Sequence, residues 1–191
     1  MTNDGAATRV AVLLANGFEE IEAVTIVDVL RRAGLAVDTV GVNGANATGS
    51  HQITVACDVT LDALDASRVR ALVLPGGMPG AQTLTDDARV QALVQAHAKK
   101  GRLLAAICAA PMALGRAGVL KGKRATCFPG FESELTGAVV DENARVVEDG
   151  AVITSRGPGT ALEFSLALVR VLVDAPTSAK LRAGMLVESS T

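Results

Sequence analysis

With 191 residues, 49% of them hydrophobic and 20% charged, the chain carries enough apolar material for the core of one globular domain. A formal net charge of −2, with Lys and Arg scattered, gives no electrostatic footprint for nucleic acid or an anionic membrane, and no Trp, no Tyr and four Phe leave little to stack on a base or a flavin. Three cysteines in odd number, Cys57, Cys108 and Cys127, without CxxC spacing, argue against a disulfide framework and a structural zinc.

Met1 to Gly5 contains no basic segment leading into an apolar one, and no apolar run approaches the ~20 residues of a spanning helix, so a reduced, cytoplasmic protein is expected. Residues 1–8 are expected to be a flexible terminus, 9–187 a single domain and 188–191 a second flexible end. Arg9 to Ala15 (RVAVLLA) reads as a continuous apolar strand, and Glu19 and Glu20 open a helix that ends in Arg31-Arg32 with Gly34 as its cap. Ala36 to Val42 and Ile53 to Leu61 read as strands joined by a Gly/Asn/Ser-rich loop, which places Cys57 within a strand. Ala71 to Leu74 is a strand ending at Pro75-Gly76-Gly77, and a helix is expected from about Thr85 to Lys99.

Leu103 to Ile107 is another apolar strand, and Cys108 closes it immediately before a helix whose first turn contains Pro111. A short strand is expected at Ala125 to Phe128. Strands follow across Ala138 to Ser155, with turns at Asp141-Glu142-Asn143 and Asp149-Gly150. Gly157-Pro158-Gly159 opens a helix from Thr160 to Val173, and an amphipathic segment runs from about Ala175 to Val187. Strands alternating with helices, and apolar on both faces, imply an α/β three-layer sandwich with a mostly parallel central sheet. In such sheets ligands sit beyond the carboxyl ends of the strands. Asn16-Gly17 with the Glu19 to Glu22 helix start, Pro75-Gly76-Gly77, Cys108, and Arg156-Gly157-Pro158-Gly159 all fall just past such ends.

A lone cysteine at a strand-to-helix turn is a nucleophile elbow, and the N–H groups of the following helix favour a thiolate there. The plainer alternative is a buried, inert thiol. Gly76 and Gly77 leave room for a close backbone approach, and their N–H groups with that of Ala109 are candidates to hold an oxyanion; the alternative is a tight turn that needs glycine. The two histidines, His51 in a polar loop and His97 late in a helix, read as surface residues. Glu19 and Glu20 read as favourable charge at a helix N-terminus. Glu22, flanked by Ile21 and Ala23, is the carboxylate placed to turn inward, where burial beside a thiolate would keep it protonated as an acid/base partner.

Several segments together carry a resemblance: Gly17-Phe18-Glu19-Glu20-Ile21-Glu22, Val27 to Gly34, Leu74-Pro75-Gly76-Gly77, Ala105 to Pro111, and Thr154 to Thr160. Over Arg9 to about Val173 the chain resembles the DJ-1/ThiJ/PfpI superfamily, nearest its YajL-like (Parkinson disease protein 7-like) branch. That resemblance implies a flavodoxin-like homodimer, with Cys108 at the family's reactive cysteine, Glu22 at its protonated glutamate, and no cofactor and no metal. It makes Arg31, Arg32 and their helix candidates for the dimer surface.

The resemblance also implies cysteine-dependent glyoxalase or deglycase activity on methylglyoxal, glyoxal or early glycation adducts, with protection against oxidative stress. The alternative is a redox-sensing chaperone whose Cys108 is oxidised to a sulfenic or sulfinic acid. A cysteine peptidase or amidase is disfavoured, because Phe128 stands where several relatives carry a histidine and no histidine is placed to act as acid for the leaving amine. Phe128 and Pro158 are expected to line the substrate site, Phe128 as an apolar wall that favours small carbonyl compounds. His51 aligns where relatives carry an arginine, and a histidine there titrates near neutral pH.

Overall fold

The computed structural model describes residues 8–188. Strand β1 (Arg9–Leu14) leads into helix α1 (Glu20–Arg32), then come β2 (Ala36–Gly41), β3 (Asn46–Thr48), β4 (Thr54–Ala56), β5 (Val59–Thr60) and β6 (Val69–Leu74). Helices α2 (Gly80–Asp86) and α3 (Ala88–Lys99) follow, then β7 (Leu103–Ile107), α4 (Pro111–Arg116), β8 (Arg124–Ala125), β9 (Val139–Val140), β10 (Val146–Asp149), β11 (Val152–Ser155), α5 (Ala161–Leu172) and α6 (Ala175–Gly184). The central sheet runs β10-β11-β7-β6-β1-β2-β5, parallel throughout except for β10 against β11. The expected doubly covered, mostly parallel sheet is therefore present. Its strands are apolar on both faces because each face is packed under helices.

Alternation along β1 divides the core in two. Ala11 and Leu13 join Leu72, Leu104, Val90, Val94 and Leu114 on the side of α3 and α4. Val10, Val12 and Leu14 join Val73, Ile107, Ile26 and Phe164 on the side of α1 and α5. Ile26 and Phe164 are fully buried, each worth roughly 1.5–3 kcal/mol of transfer free energy. Helix α1 turns Glu22, Ala23, Ile26, Val29 and Leu30 inward at helical spacing and stops at Gly34, whose φ of +79° suits glycine.

Three elements differ from expectation. The helix expected from Thr85 to Lys99 is two helices that meet at Asp87, whose extended backbone (φ −69°, ψ 114°) and carboxylate cap the N–H groups of Arg89 and Val90. The strand expected over Ile53 to Leu61 breaks at Cys57-Asp58. Its first half, β4, pairs with β3 inside the loop expected to be irregular, and its second half, β5, extends the main sheet alongside β2. Cys57 therefore lies between strands, not within one. The strand expected over Ala125 to Phe128 stops at Ala125, because Phe128 donates its N–H to the carbonyl of Cys108 instead of to a ladder.

Of the two ends expected to be flexible, residues 1–7 and 189–191 lie outside the described residues. Thr8 is tied by its N–H to Arg68 and Glu188 by its carbonyl to Arg182. Among the described residues no helix is long and apolar enough to cross a membrane. Because β11, β7, β6 and β1 are neighbours and parallel, the segments that follow them share one rim of the sheet.

Candidate active site

Cys108 is the residue after β7, and its φ of +64° is the left-handed conformation of a nucleophile elbow. A residue with a Cβ gives up roughly 1–2 kcal/mol there. Three ties hold it in place: its N–H donates to Ser155 at 3.0 Å, its carbonyl accepts from Phe128 at 2.8 Å, and the N–H of Ala110 returns to Ile107 at 3.1 Å. The thiol is half-buried, so a small molecule reaches the sulfur from outside. The helix that follows is only six residues long, with Pro111 at its start, so the donors nearest the sulfur matter more than its dipole.

Glu22 comes from α1, on the next strand but one, and is fully buried. Its Oε2 accepts the N–H of Gly76 at 2.7 Å, while Oε1 is sealed from water with no N–H or O–H donor among the described residues. The carboxyl group and the Cys108 side chain both pack against Gly76, close enough to act on each other's protonation. Burial pushes the carboxyl pKa up to about 7, the negative charge of Glu19 adds to the rise, and the Gly76 hydrogen bond and the Cys108 side chain act against it. An inward-facing Glu22 with a raised pKa is what the sequence predicts.

The sulfur departs from the sequence expectation. Burial and then the charge of Glu22 push the Cys108 thiol up to about 12, although the N–H groups of Gly77 and Ala109 near it pull the other way. Burial and that charge both act against the thiolate expected from the helix field. Desolvation of a half-buried sulfur beside a carboxylate outweighs two amide dipoles. The two acids each act on the other's protonation, so they titrate as a coupled pair.

The glycines are fixed by this crowding. A Cβ at Gly76 would come within 2.5 Å of the Cys108 Cβ and 3.0 Å of Glu22 Oε2; at Gly77, where φ is +89°, it would meet the Glu19 nitrogen at 2.3 Å. Since the Gly76 N–H is committed to Glu22, the donors left for an oxyanion are those of Gly77 and Ala109, two of the three expected. Phe128 reaches the site beside Gly157, where a Cβ would stand 3.2 Å from the ring, and it remains 43% exposed, so it is a rim and not a sealed wall. Pro158, half-buried, opens the 3-10 turn that sets Gly157 in place through the hydrogen bond from the Gly157 N–H to the Thr160 hydroxyl.

Two residues read from sequence as surface features are not. His97 is only 2% exposed and sits between the carbonyls of Leu93 and Val69 at 3.1 and 3.2 Å, in the layer under α3. Glu20, expected to serve as helix-end charge, is nearly buried and holds the 49–53 loop: its Oε1 accepts the N–H groups of His51 and Ile53, and its Oε2 meets His51 Nδ1 at 2.9 Å. Burial works to raise its pKa, but those hydrogen bonds win and bring it to about 2. Gly49 makes this possible, since a Cβ there would lie 2.2 Å from Glu20 Oε1. The pairing spans 31 residues of chain, and only the glycine hinted at it.

His51 itself is exposed, as expected. Glu19, Glu20 and His51 each offer an atom within 4.8 Å of the others, but both oxygens of Glu20 are already engaged by the loop. Cys127 is buried and its thiol is pushed up to about 11, chiefly by desolvation; Cys57 is half-buried and its thiol is likewise raised. All three cysteines are free.

The sequence profile of the DJ-1/PfpI family matches residues 8–171. Protein DJ-1 homolog B of Arabidopsis thaliana is 40% identical over 174 residues, 90% of this chain but 40% of the plant protein, so the chain spans less than half the length of that relative. A deglycase of Pyrococcus abyssi is 32% identical over 165 residues, covering 86% of this chain and 99% of the archaeal one. The crystal structure of Drosophila melanogaster DJ-1beta superposes with a TM-score of 0.92 at 36% identity, over 96% of this chain and all of that one.

Proposed function

The chain belongs to the DJ-1/PfpI family, and from its site we propose that it is a cofactor-independent glyoxalase or deglycase acting on small dicarbonyl compounds or early glycation adducts, with Cys108 as nucleophile and Glu22 as proton carrier. The observation that carries this is the sealed Glu22 carboxyl packed with the half-buried Cys108 side chain around Gly76, beside the N–H groups of Gly77 and Ala109. Glu22 takes the thiol proton as sulfur adds to the aldehyde carbon of methylglyoxal, and the resulting oxyanion is held by Gly77 and Ala109. Glu22 returns that proton to the oxyanion, then takes the C1 proton of the neutral hemithioacetal and delivers it to C2. Meanwhile the C1 hydroxyl proton passes to the C2 oxygen, which leaves a thioester at C1 and an alcohol at C2; water then releases lactate and the thiol. The net change is addition of one water, so no electron acceptor is needed. Attack on an aldehyde suits this site better than amide hydrolysis, because no histidine stands by to protonate a leaving amine.

The half-exposed sulfur under two amide donors also suits oxidation to a sulfenic or sulfinic acid, the second reading. One experiment weighs both: methylglyoxal is incubated with the purified chain, without thiol or metal, and lactate is counted beside mass spectrometry of the Cys108 peptide after mild peroxide. Many equivalents of lactate per chain are expected. Product that stops at one equivalent, with Cys108 oxidised, overturns the enzyme in favour of the sensor.

A homodimer fits the surface. Ile21 and Val24, three residues apart on α1, are 58% and 54% exposed, and Ile53 is 56% exposed on the loop that α1 holds. The candidate arginines of this helix are engaged within the chain, Arg31 with Asp58 and Arg32 with Asp28, which leaves the apolar face for a second copy. Sedimentation should give twice the chain mass for the wild type and a monomer for Val24→Glu; a monomeric wild type removes the proposal. The three free cysteines suit a reducing compartment such as the cytoplasm.

A further inference from the structure

The carboxylates around the site are coupled to one exposed imidazole. Glu19 and Glu20 close α1 at the rim, and the 49–53 loop folds over them: Ser50 donates its N–H to the Phe18 carbonyl at 2.9 Å, and His51 places Nδ1 2.9 Å from Glu20 Oε2 and 3.8 Å from Glu19 Oε2. Ser50 Oγ lies between them, 3.5 Å from Glu19 and 3.4 Å from Glu20. Glu19 is one helical turn before Glu22, donates its own N–H to the Gly76 carbonyl at 2.9 Å, and so sits on the same glycine that holds Glu22. Two carboxylates at the start of α1, Glu20 and its preceding Glu19, face the imidazole, and among the described residues they are the charged groups that act on it; Glu19 and the Cys108 thiol are the ionisable groups that act on Glu22.

Building on the proposed Cys108–Glu22 pair, we propose that His51 is a positioning residue for it. The imidazole pins the rim loop to Glu20 and sets its charge against Glu19, so that its protonation eases ionisation of the buried pair and its deprotonation hinders it. The physical path is short. A negative Glu19 repels a negative Glu22, and a positive His51 cancels part of that repulsion; a neutral His51 keeps the hydrogen bond to Glu20 but cancels nothing. The carboxylates in turn favour the imidazolium, which places the switch above the ordinary histidine range. The carboxylates thereby favour a cation at the rim, and it is lost as the pH rises through the raised imidazole pKa.

The test reads the pair without relying on turnover. The alkylation rate of Cys108 by iodoacetamide is followed against pH by peptide mass spectrometry in the wild type, His51→Asn, His51→Arg and Glu22→Gln, with thermal melts to confirm that each is folded. The wild type should show an inflection near neutral pH where the pair loses its first proton. His51→Asn should move that inflection upward by a few tenths of a pH unit, and His51→Arg, whose charge is permanent, should restore it and sustain faster labelling than the wild type at alkaline pH. The same displacement is expected in the acid limb of kcat/KM. Inflections that coincide in wild type, His51→Asn and His51→Arg overturn the role of His51. An inflection that survives in Glu22→Gln instead removes the pair on which the inference rests, so the two failures are told apart.

Discussion

Cys108→Ser should abolish conversion of methylglyoxal to lactate, by at least about 10³-fold, while leaving the fold in place. The loss follows from where the proton must go. Glu22, with a pKa of about 7, is a base able to share a proton with a thiol, and a serine hydroxyl is far too weak an acid to enter that exchange. The sulfur also supplies the thioester whose hydrolysis releases product, and an oxygen ester is a poorer acyl donor. The fold survives because the elbow is fixed by the main chain: the N–H of residue 108 to Ser155, its carbonyl to Phe128, and the glycine at 76 that leaves 108 its space. Lactate formation by Cys108→Ser at rates near wild type, with an unchanged melting temperature, would remove Cys108 from the chemistry.

The sheet and the rim were legible because both follow from local pattern. Continuous apolar runs at Arg9 to Leu14, Val69 to Leu74 and Leu103 to Ile107 announce strands buried on both faces, and glycine or cysteine just beyond them marks the carboxyl ends. Glu22 was expected inward from its apolar neighbours, and it is buried with Ala23, although Ile21 faces outward at 58% exposure. What escaped depends on long-range partners. The β3–β4 hairpin needs Asn46 to Thr48 to find Thr54 to Ala56, and the burial of His97 depends on the carbonyl of Val69, 28 residues away. The upward shift of the Cys108 thiol escaped for another reason. A cysteine before a helix suggests a lowered pKa, but desolvation and the neighbouring carboxylate are properties of the packed site, and they carry the thiol upward.

Glu22→Gln should separate catalysis from stability. Turnover should fall about 10²- to 10⁴-fold, the range for losing a general acid/base group, because an amide can accept the Gly76 N–H but cannot carry the proton between C1 and C2. Stability should move the other way at alkaline pH. The folded protein raises the carboxyl pKa from 4.5 to about 7, so the native state holds this proton more tightly than the unfolded chain does. The advantage is complete below 4.5 and is lost as the pH climbs through 7, a change on the order of 3 kcal/mol. Glutamine never ionises, so the variant escapes that loss, and urea midpoints at pH 5 and pH 8.5 should show the wild type weakening between them much more than Glu22→Gln. Removing the carboxyl also leaves Cys108 without its proton partner, so the neutral inflection in its alkylation profile should vanish and one rise at higher pH should remain. Equal pH dependence of stability in the two proteins would mean that the carboxyl group at position 22 ionises as freely in the folded chain as in the unfolded one, and a sealed acid against the sulfur could not then be the source of the chemistry.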